Sequence, residues 1–195
     1  MNTADTMDEG GGLRRALFDR LIGPGAGSAE VGLALASGLA AAVLVPALAQ
    51  ARGADWSAAQ LVVSGLLAFD LFGGVAVNAS EAARRFYHRP GRGRGDHLAF
   101  VAAHALHVVL VAWLFRASDS GWAAGLSAVL LAAAAGILFT PRPHRRAVAM
   151  LAYAAVVLGL SPLSPTPGME WFVPVLFLKL LLAYLLGTLS AAAEE

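Results

Sequence analysis

Six long apolar runs alternate with short polar segments along the chain. The apolar runs cover residues 31–51, 58–79, 97–115, 121–140, 147–163 and 171–190, and the fifth is the shortest. An α-helix needs ~20 apolar residues to cross ~30 Å of hydrocarbon at a rise of ~1.5 Å per residue. Most runs approach this length, and a water-soluble bundle rarely repeats such helices six times. The pattern therefore predicts an all-α polytopic transmembrane helix bundle of about six spans.

The polar ends of the chain divide it into three parts. Residues 1–29 are a polar N-terminal segment, residues 30–190 are the predicted transmembrane domain, and residues 191–195 are a short tail. The polar, slightly acidic start does not have the features of a secretory signal. Leucines and arginines at helical spacing over 13–22 fit a helix on the membrane surface, and they fit a solvated tail equally well.

The arginines are distributed unevenly among the polar segments. Eleven of them lie before the first run, between the second and third, and between the fourth and fifth, whereas the opposite connections carry only Arg52 and Arg116. Connections rich in Lys and Arg stay in the cytoplasm. The distribution therefore predicts that both termini, including the tail, are cytoplasmic.

Composition agrees with a membrane protein and narrows its chemistry. The chain is 58% hydrophobic and 14% charged, with a mean hydropathy of +0.67, whereas soluble domains carry about 25% charged residues. The absence of cysteine excludes disulfides, iron–sulfur clusters, thiolate zinc sites and covalently attached haem. Arginine greatly outnumbers lysine, and alanine and glycine are abundant. This bias favours a high-GC bacterial genome, and hence the bacterial plasma (inner) membrane.

Ionisable residues interrupt the apolar runs at similar depth. Asp70, His104, His107 and Lys179 all fall in one slab around the predicted bilayer centre, and Lys179 is the one lysine of the chain. Such residues are costly in hydrocarbon and mark a functional site by default. We therefore expect an intramembrane polar site formed by these four residues.

Helical phase predicts a second level nearer the cytoplasm. Asp70 and Glu81 share one face of the second run, while His97, His104 and His107 share a stripe of the third. The deeper histidines would then lie near Asp70, and His97 would lie near Glu81. The predicted cytoplasmic-mouth site consists of Asn78, Glu81, His88 and His97.

Purely structural interpretations stand beside these functional ones. Asp70 and Lys179 could form an ion pair that only holds helices together. Either deep histidine could be satisfied by a backbone carbonyl. Glu81 lies beside Arg84 and Arg85, which favours a salt bridge at a helix end.

The connection RRFYHRPGRGRGD over residues 84–96 is the longest basic segment. Its arginines suit anionic lipid headgroups in addition to setting the topology. Nucleic-acid binding is not expected, because topology already accounts for these charges. The predicted lipid contacts are Arg84, Arg85, Arg89, Arg92 and Arg94.

Three functions remain open on the sequence alone. Mid-depth Asp, His and Lys are typical of proton relays, which favours proton- or ion-coupled transport of a small solute. Six spans in 195 residues leave little room for a pathway, so this function favours a homo-oligomer. A metal- or haem-dependent enzyme acting on a lipid or lipophilic substrate is the second hypothesis, with His97, His104, His107 and Asp70 as the metal ligands. A structural membrane subunit with buried ion pairs is the third. The motifs GxSxG, HExxH and GxGxxG are absent, so no enzyme class is indicated.

Overall fold

The computed structural model describes residues 23–160 and 165–189. Within these ranges the chain is helical and contains no β-strand. The helix that starts at Arg142 continues as a π-helical segment over Val156–Leu160, and the last helix continues as a π-helix over Leu178–Tyr184 and a 3₁₀-helix over Leu185–Leu189. The α-helices are α1 (Ser28–Ala51), α2 (Ala58–Ala79), α3 (Glu81–Tyr87), α4 (Arg94–Ala103), α5 (Ala105–Phe115), α6 (Ser120–Phe139), α7 (Arg142–Ala155) and α8 (Phe172–Phe177).

Four helical stretches are long and apolar enough to cross a membrane. They are Ser28–Ala51, Ala58–Ala79, Arg94–Phe115 and Ser120–Phe139, and they correspond to the first four predicted runs. An all-helical bundle with four such stretches has the architecture of a membrane protein.

The last two predicted runs differ from the first four. The first turn of α7 carries the polar sequence RPHRR, so its apolar part is short, and residues 161–164 of the fifth run lie outside the described residues. The sixth run contains the apolar stretch Phe172–Gly187, which is shorter than the four candidate spans. The count of six spans therefore stays a prediction, and the predicted surface helix at 13–22 and the tail at 191–195 lie outside the described residues.

Connections of the bundle meet in groups at its two ends. At the arginine-poor end, the side chain of Gln60 donates to the carbonyl of Leu114 at 2.8 Å, and Arg116 donates to Oγ1 of Thr166 at 2.9 Å. The connections that follow α1, α5 and α7 therefore lie close together.

The opposite end, which we call the basic end, carries the connection between α3 and α4 and the connection between α6 and α7. The backbone N–H of Glu81 donates to Oε1 of Glu30 at 3.0 Å, so the start of α1 lies beside the start of α3. His97 of α4 contacts Tyr184, in the continuation of α8. The first and last described helices thus both reach the basic end.

The last helix occupies the centre of the core. Phe172, Leu176, Phe177, Leu180 and Leu181 are all fully buried, and this helix contacts α2, α6 and α7. The sequence does not predict this position, because a helix that is apolar on every side can face lipid as well as other helices. The structure surrounds it with other helices of the bundle. Any polar residue on it is therefore carried into the interior.

By contrast, α1 lies at the edge and packs mainly on α2. Their contact depends on small residues: a Cβ atom at Gly65 would lie 2.9 Å from the carbonyl oxygen of Ala42, and one at Gly73 would lie 3.2 Å from that of Ala34. Glycine at these positions lets the two backbones approach closely.

Candidate functional site

A carboxylate, an ammonium and an imidazole meet between three helices. Oδ2 of Asp70 on α2 accepts a hydrogen bond from Nζ of Lys179 at 2.6 Å, and the same oxygen lies 3.0 Å from Nε2 of His107 on α5. The structure therefore brings together three of the four residues of the predicted intramembrane site. We call this group the Asp70 site.

Lys179 reaches Asp70 by passing over a glycine of α2. A Cβ atom at Gly74, one turn after Asp70, would lie 2.8 Å from Nζ of Lys179. The lysine is only 4% exposed, and its Nζ also lies 3.3 Å from the backbone carbonyl of Asp70. The amide of Asn78 lies 3.5 Å from the backbone carbonyl of Lys179, so this residue, predicted for the mouth, contacts the backbone beside the Asp70 site.

His107 has one satisfied and one unsatisfied ring nitrogen. A carboxylate only accepts hydrogen bonds, so Nε2 is the nitrogen that carries the proton and donates to Asp70. Its Nδ1 is buried and has no hydrogen-bond partner among the described residues. In a neutral imidazole this atom is a bare acceptor, which costs less to bury unpaired than the N–H of an imidazolium.

His104 does not join Asp70, because it is bonded to its own helix. Its Nδ1 donates to the carbonyl of Phe100 at 2.9 Å, and its ring stacks on His107 with centroids 5.1 Å apart. The third predicted run is also broken here: α4 ends and α5 begins at His104, whose backbone N–H bonds to Val101 with a 3₁₀-like spacing. His104 therefore supports the ring of His107 and leaves Asp70 to the other two residues.

The Asp70 site opens to the surface of the bundle through its carboxylate. The side chain of Asp70 is 47% exposed, whereas those of His107 and Lys179 are 23% and 5% exposed. Oδ1 of Asp70 accepts no hydrogen bond from the described residues. The carboxylate is therefore the most exposed of the three groups, and the ammonium is the most buried.

A second polar cluster lies towards the basic end. Nδ1 of His97 lies 2.9 Å from Oη of Tyr184, and the ring of His88 stacks on that of His97 with centroids 4.8 Å apart. The pKa of His88, in the connection after α3, is lowered to about 4 by burial and by the nearby His97. Both imidazoles of the predicted mouth site are therefore close together, joined by a tyrosine.

Sequence reasoning missed Tyr184. The residue was counted only as part of an apolar run, although a phenol buried in such a run usually needs a hydrogen-bond partner. Its ring also stacks on Phe100 at 4.1 Å. A continuous series of ring contacts consequently links the mouth to the Asp70 site, through His88, His97, Tyr184, Phe100, His104 and His107.

Glu81 lies apart from the mouth histidines. Its side chain is 70% exposed and pairs with Arg84 at 2.9 Å and with Arg85 at 3.6 Å. This is the helix-end salt bridge that the sequence favoured. Two of the five arginines predicted to contact lipid are thus paired within α3, while Arg89, Arg92 and Arg94 line a cavity at the basic end.

The four predicted metal ligands do not come together. Among the residues that the structure describes, no group of three or more His, Cys, Asp or Glu side chains could hold a metal ion. His97 is bonded to Tyr184, and His104 is bonded to a backbone carbonyl. Of the four, only His107 and Asp70 are joined by a hydrogen bond, and His104 contacts His107 through ring stacking.

Comparison with known proteins gives no relative from which a role could be transferred. No protein family, curated protein or solved structure matches the chain significantly.

Proposed function

We propose that the chain is a multi-pass bacterial inner-membrane protein whose Asp70 site takes up and releases a proton during proton- or ion-coupled transport of a small solute. One observation carries this proposal: a single oxygen of Asp70 accepts hydrogen bonds from both Lys179 and His107. An ammonium and an imidazole are thereby hydrogen-bonded to the same carboxylate oxygen within a bundle of apolar helices.

Because both donors bind one oxygen, protonation of Asp70 changes the hydrogen bonds that hold Lys179 and His107 in place. When Asp70 is ionised, it balances the ammonium of Lys179 and accepts from His107. When Asp70 takes a proton, the buried ammonium loses its counter-charge, and the two donors compete for a weaker acceptor. Protonation would therefore favour a movement of α5 and of the continuation of α8, which carry these donors. A transporter needs this link between protonation and conformation.

The exposure of the groups supports a proton path. The side chain of Asp70 is half-exposed, while the imidazole of His107 is more buried and stacks on His104. The hydrogen bond between Nε2 of His107 and Asp70 gives a proton a direct route between the two side chains. The mouth histidines lie at the far end of the same series of rings.

The proposed topology has six spans with both termini in the cytoplasm. It is supported by the arginines of the basic end and by the arrival of both α1 and the continuation of α8 at that end. The basic end would then face the cytoplasm. A homo-oligomer remains part of the proposal, since a partner could cover the exposed side of Asp70.

The proposal is tested on purified protein in liposomes that contain a pH-sensitive dye. Mixtures of small solutes are added under an imposed proton gradient, and the infrared difference spectrum between neutral and acid pH is recorded for the same samples. We expect a carboxyl band on acidification and solute-dependent proton movement, both lost in Asp70→Asn. Asp55→Asn, at an exposed position between α1 and α2, is the matched control and should retain both. A wild-type protein without an Asp70 carboxyl band would refute the proton role.

A structural role for the same ion pair is the second candidate. It is favoured by the packing of Lys179 across Gly74 and by its additional bond to the carbonyl of Asp70, which together tie α8 to α2. If the role is structural, Asp70→Asn should lower the free energy of unfolding and leave any proton movement unchanged. The metal- or haem-dependent enzyme receives no such support from the described residues.

A further inference from the structure

A cavity of about 740 Å³ lies at the basic end, between the connection from α3 to α4 and the connection from α6 to α7. Its volume lies within the range of cavities that hold small ligands, about 300–1,000 Å³. Five arginines and two histidines contribute to its walls: Arg89, Arg92, Arg94, Arg142, Arg145, His88 and His97.

The charges of these arginines are largely uncompensated within the cavity. Among the described residues, no acidic side chain lies in its wall, and Asp96 pairs with Arg92 at 3.0 Å from just outside it. Arg142 forms no ion pair with a described residue. The pKa of Arg145 is lowered by burial and by the nearby Arg94 and Arg142, which shows that like charges are crowded here. Such crowding is relieved by an anion.

One of the arginines is already held in place. Arg145 donates from Nε to the carbonyl of Thr140 at 2.9 Å and from Nη2 to that of Leu138 at 3.0 Å. Its guanidinium is therefore fixed by the end of α6 before any ligand arrives. Fixed donors lose little entropy on binding, which favours a defined site over a diffuse positive surface.

We infer that this cavity binds a phosphate group, carried either by a lipid headgroup or by a soluble phosphorylated molecule. Guanidinium groups from both connections surround it, and arginine binds phosphate oxygens through two parallel hydrogen bonds. A phosphate can meet several such groups at once, because it offers acceptor oxygens in several directions. The inference does not rest on the Asp70 site, since the cavity shares no residue with it, although the ring series from that site ends at His88 and His97 in the cavity wall.

The rim of the cavity suits a lipid as the source of the phosphate. Phe139, the last residue of α6, lines the cavity and is 63% exposed, and the guanidinium of Arg94 lies 5.0 Å from the centre of its ring. An apolar ring beside a cationic group matches a molecule with an acyl chain next to a phosphate. Phe139 also ends a candidate span, so the cavity opens near the expected membrane boundary.

The test measures binding to the full chain with two kinds of probe. In detergent, inorganic phosphate and glycerol phosphate are titrated against thermal unfolding. In nanodiscs, phosphatidic acid and phosphatidylglycerol are compared with phosphatidylcholine by native mass spectrometry of the retained lipid. The cavity variants are Arg94→Gln and Arg142→Gln. Arg146→Gln is the matched control, because Arg146 is exposed on the same helix as Arg142 but does not line the cavity.

We expect each cavity variant to weaken phosphate binding roughly tenfold and the control to change it by less than about twofold. Retention of phosphatidic acid without an effect of soluble phosphate identifies a lipid ligand, whereas stabilisation by glycerol phosphate identifies a soluble one. The inference is overturned if neither soluble phosphate stabilises the wild-type chain and if neither anionic lipid is retained over phosphatidylcholine, whose phosphate charge is balanced by its own choline. It is equally overturned if Arg146→Gln weakens binding as much as Arg142→Gln, since a general surface charge would then explain the effect.

Discussion

Gly74 and Lys179 occupy adjoining space so closely that a methyl group on the glycine would lie 2.8 Å from the lysine Nζ. The lysine therefore reaches Asp70 only because residue 74 has no side chain. The position of the Lys179 charge, in the continuation of α8, therefore depends on the small size of Gly74 in α2. It also provides a way to disturb the ion pair without removing either charge.

Gly74→Ala should displace Lys179 from Asp70 and lower the thermal unfolding temperature. Gly125→Ala on α6 is the matched control, because nothing lies within 4 Å of a Cβ atom at that position. Alanine is a better helix former than glycine by up to about 1 kcal/mol, so the control should be unchanged or more stable. Equal stability of the two variants would show that the lysine is not confined by Gly74.

Removing one partner of the ion pair should cost more than removing both. Asp70→Asn leaves a buried ammonium without its carboxylate, and we expect a loss of about 3 kcal/mol in the free energy of unfolding. Lys179→Met should cost less, because Asp70 is half-exposed. The double variant should recover much of the loss of Asp70→Asn. Strictly additive effects in this double-mutant cycle would argue against a direct interaction.

The two deep histidines should behave differently when they are replaced. His104→Ala removes a hydrogen bond to the carbonyl of Phe100, so we expect a stability loss of about 1 kcal/mol and an intact acid-induced carboxyl band. His107→Gln removes the imidazole at Asp70 and should shift that band. Its matched control is His144→Gln, at an exposed position of α7. A shift of equal size in His104→Ala would contradict these separate roles.

Stability should fall on acidification because of His88. Its pKa is lowered to about 4 in the folded protein, whereas the unfolded chain takes up the proton near pH 6.5. The folded state therefore holds fewer protons between these values, and the free energy of unfolding decreases as pH falls from about 6.5 to about 4. One group limits the slope to about 1.4 kcal/mol per pH unit. The groups around it are His97, Tyr184 and Arg84.

His88→Gln should reduce this pH dependence, as measured by chemical unfolding at a series of pH values. His144→Gln, at an exposed position of α7, is the matched control. An unaltered pH profile in His88→Gln would assign the effect to other groups.

Hydrophobic pattern and depth were informative because they depend on local sequence. They predicted four apolar helices that the structure contains, and they placed Asp70, His107 and Lys179 at one depth, where the structure joins them by hydrogen bonds. The common depth of Asp70 and Lys179 made their contact possible, and the structure shows it as a hydrogen bond of 2.6 Å.

Features that depend on backbone irregularity were not predicted. The helix is interrupted at His104, whose ring is bonded to the carbonyl of Phe100. The sequence around His104 contains no proline or glycine that would predict this interruption. The π-helical turns after Phe177 likewise have no sequence signal, yet they bring Tyr184 to His97. The phase of an ideal helix cannot describe either place.

The cavity at the basic end was missed for another reason. Arg142 and Arg145 were used only to orient the chain, while Arg89, Arg92 and Arg94 were interpreted by themselves as lipid contacts. The two connections are separated by α4, α5 and α6 along the sequence. The two connections meet only in the tertiary structure, so neither sequence segment predicts the cavity by itself.

The central place of α8 has a consequence for biogenesis. The ribosome makes this helix after the others that surround it, and Lys179 follows Asp70 by 109 positions. During translation, the earlier helices are inserted while the central position of the bundle is still unfilled, and Asp70 has no ammonium partner until Lys179 has been made. Assembly is then completed only when the lysine enters, so a chain truncated before this helix would be a natural target for membrane quality control.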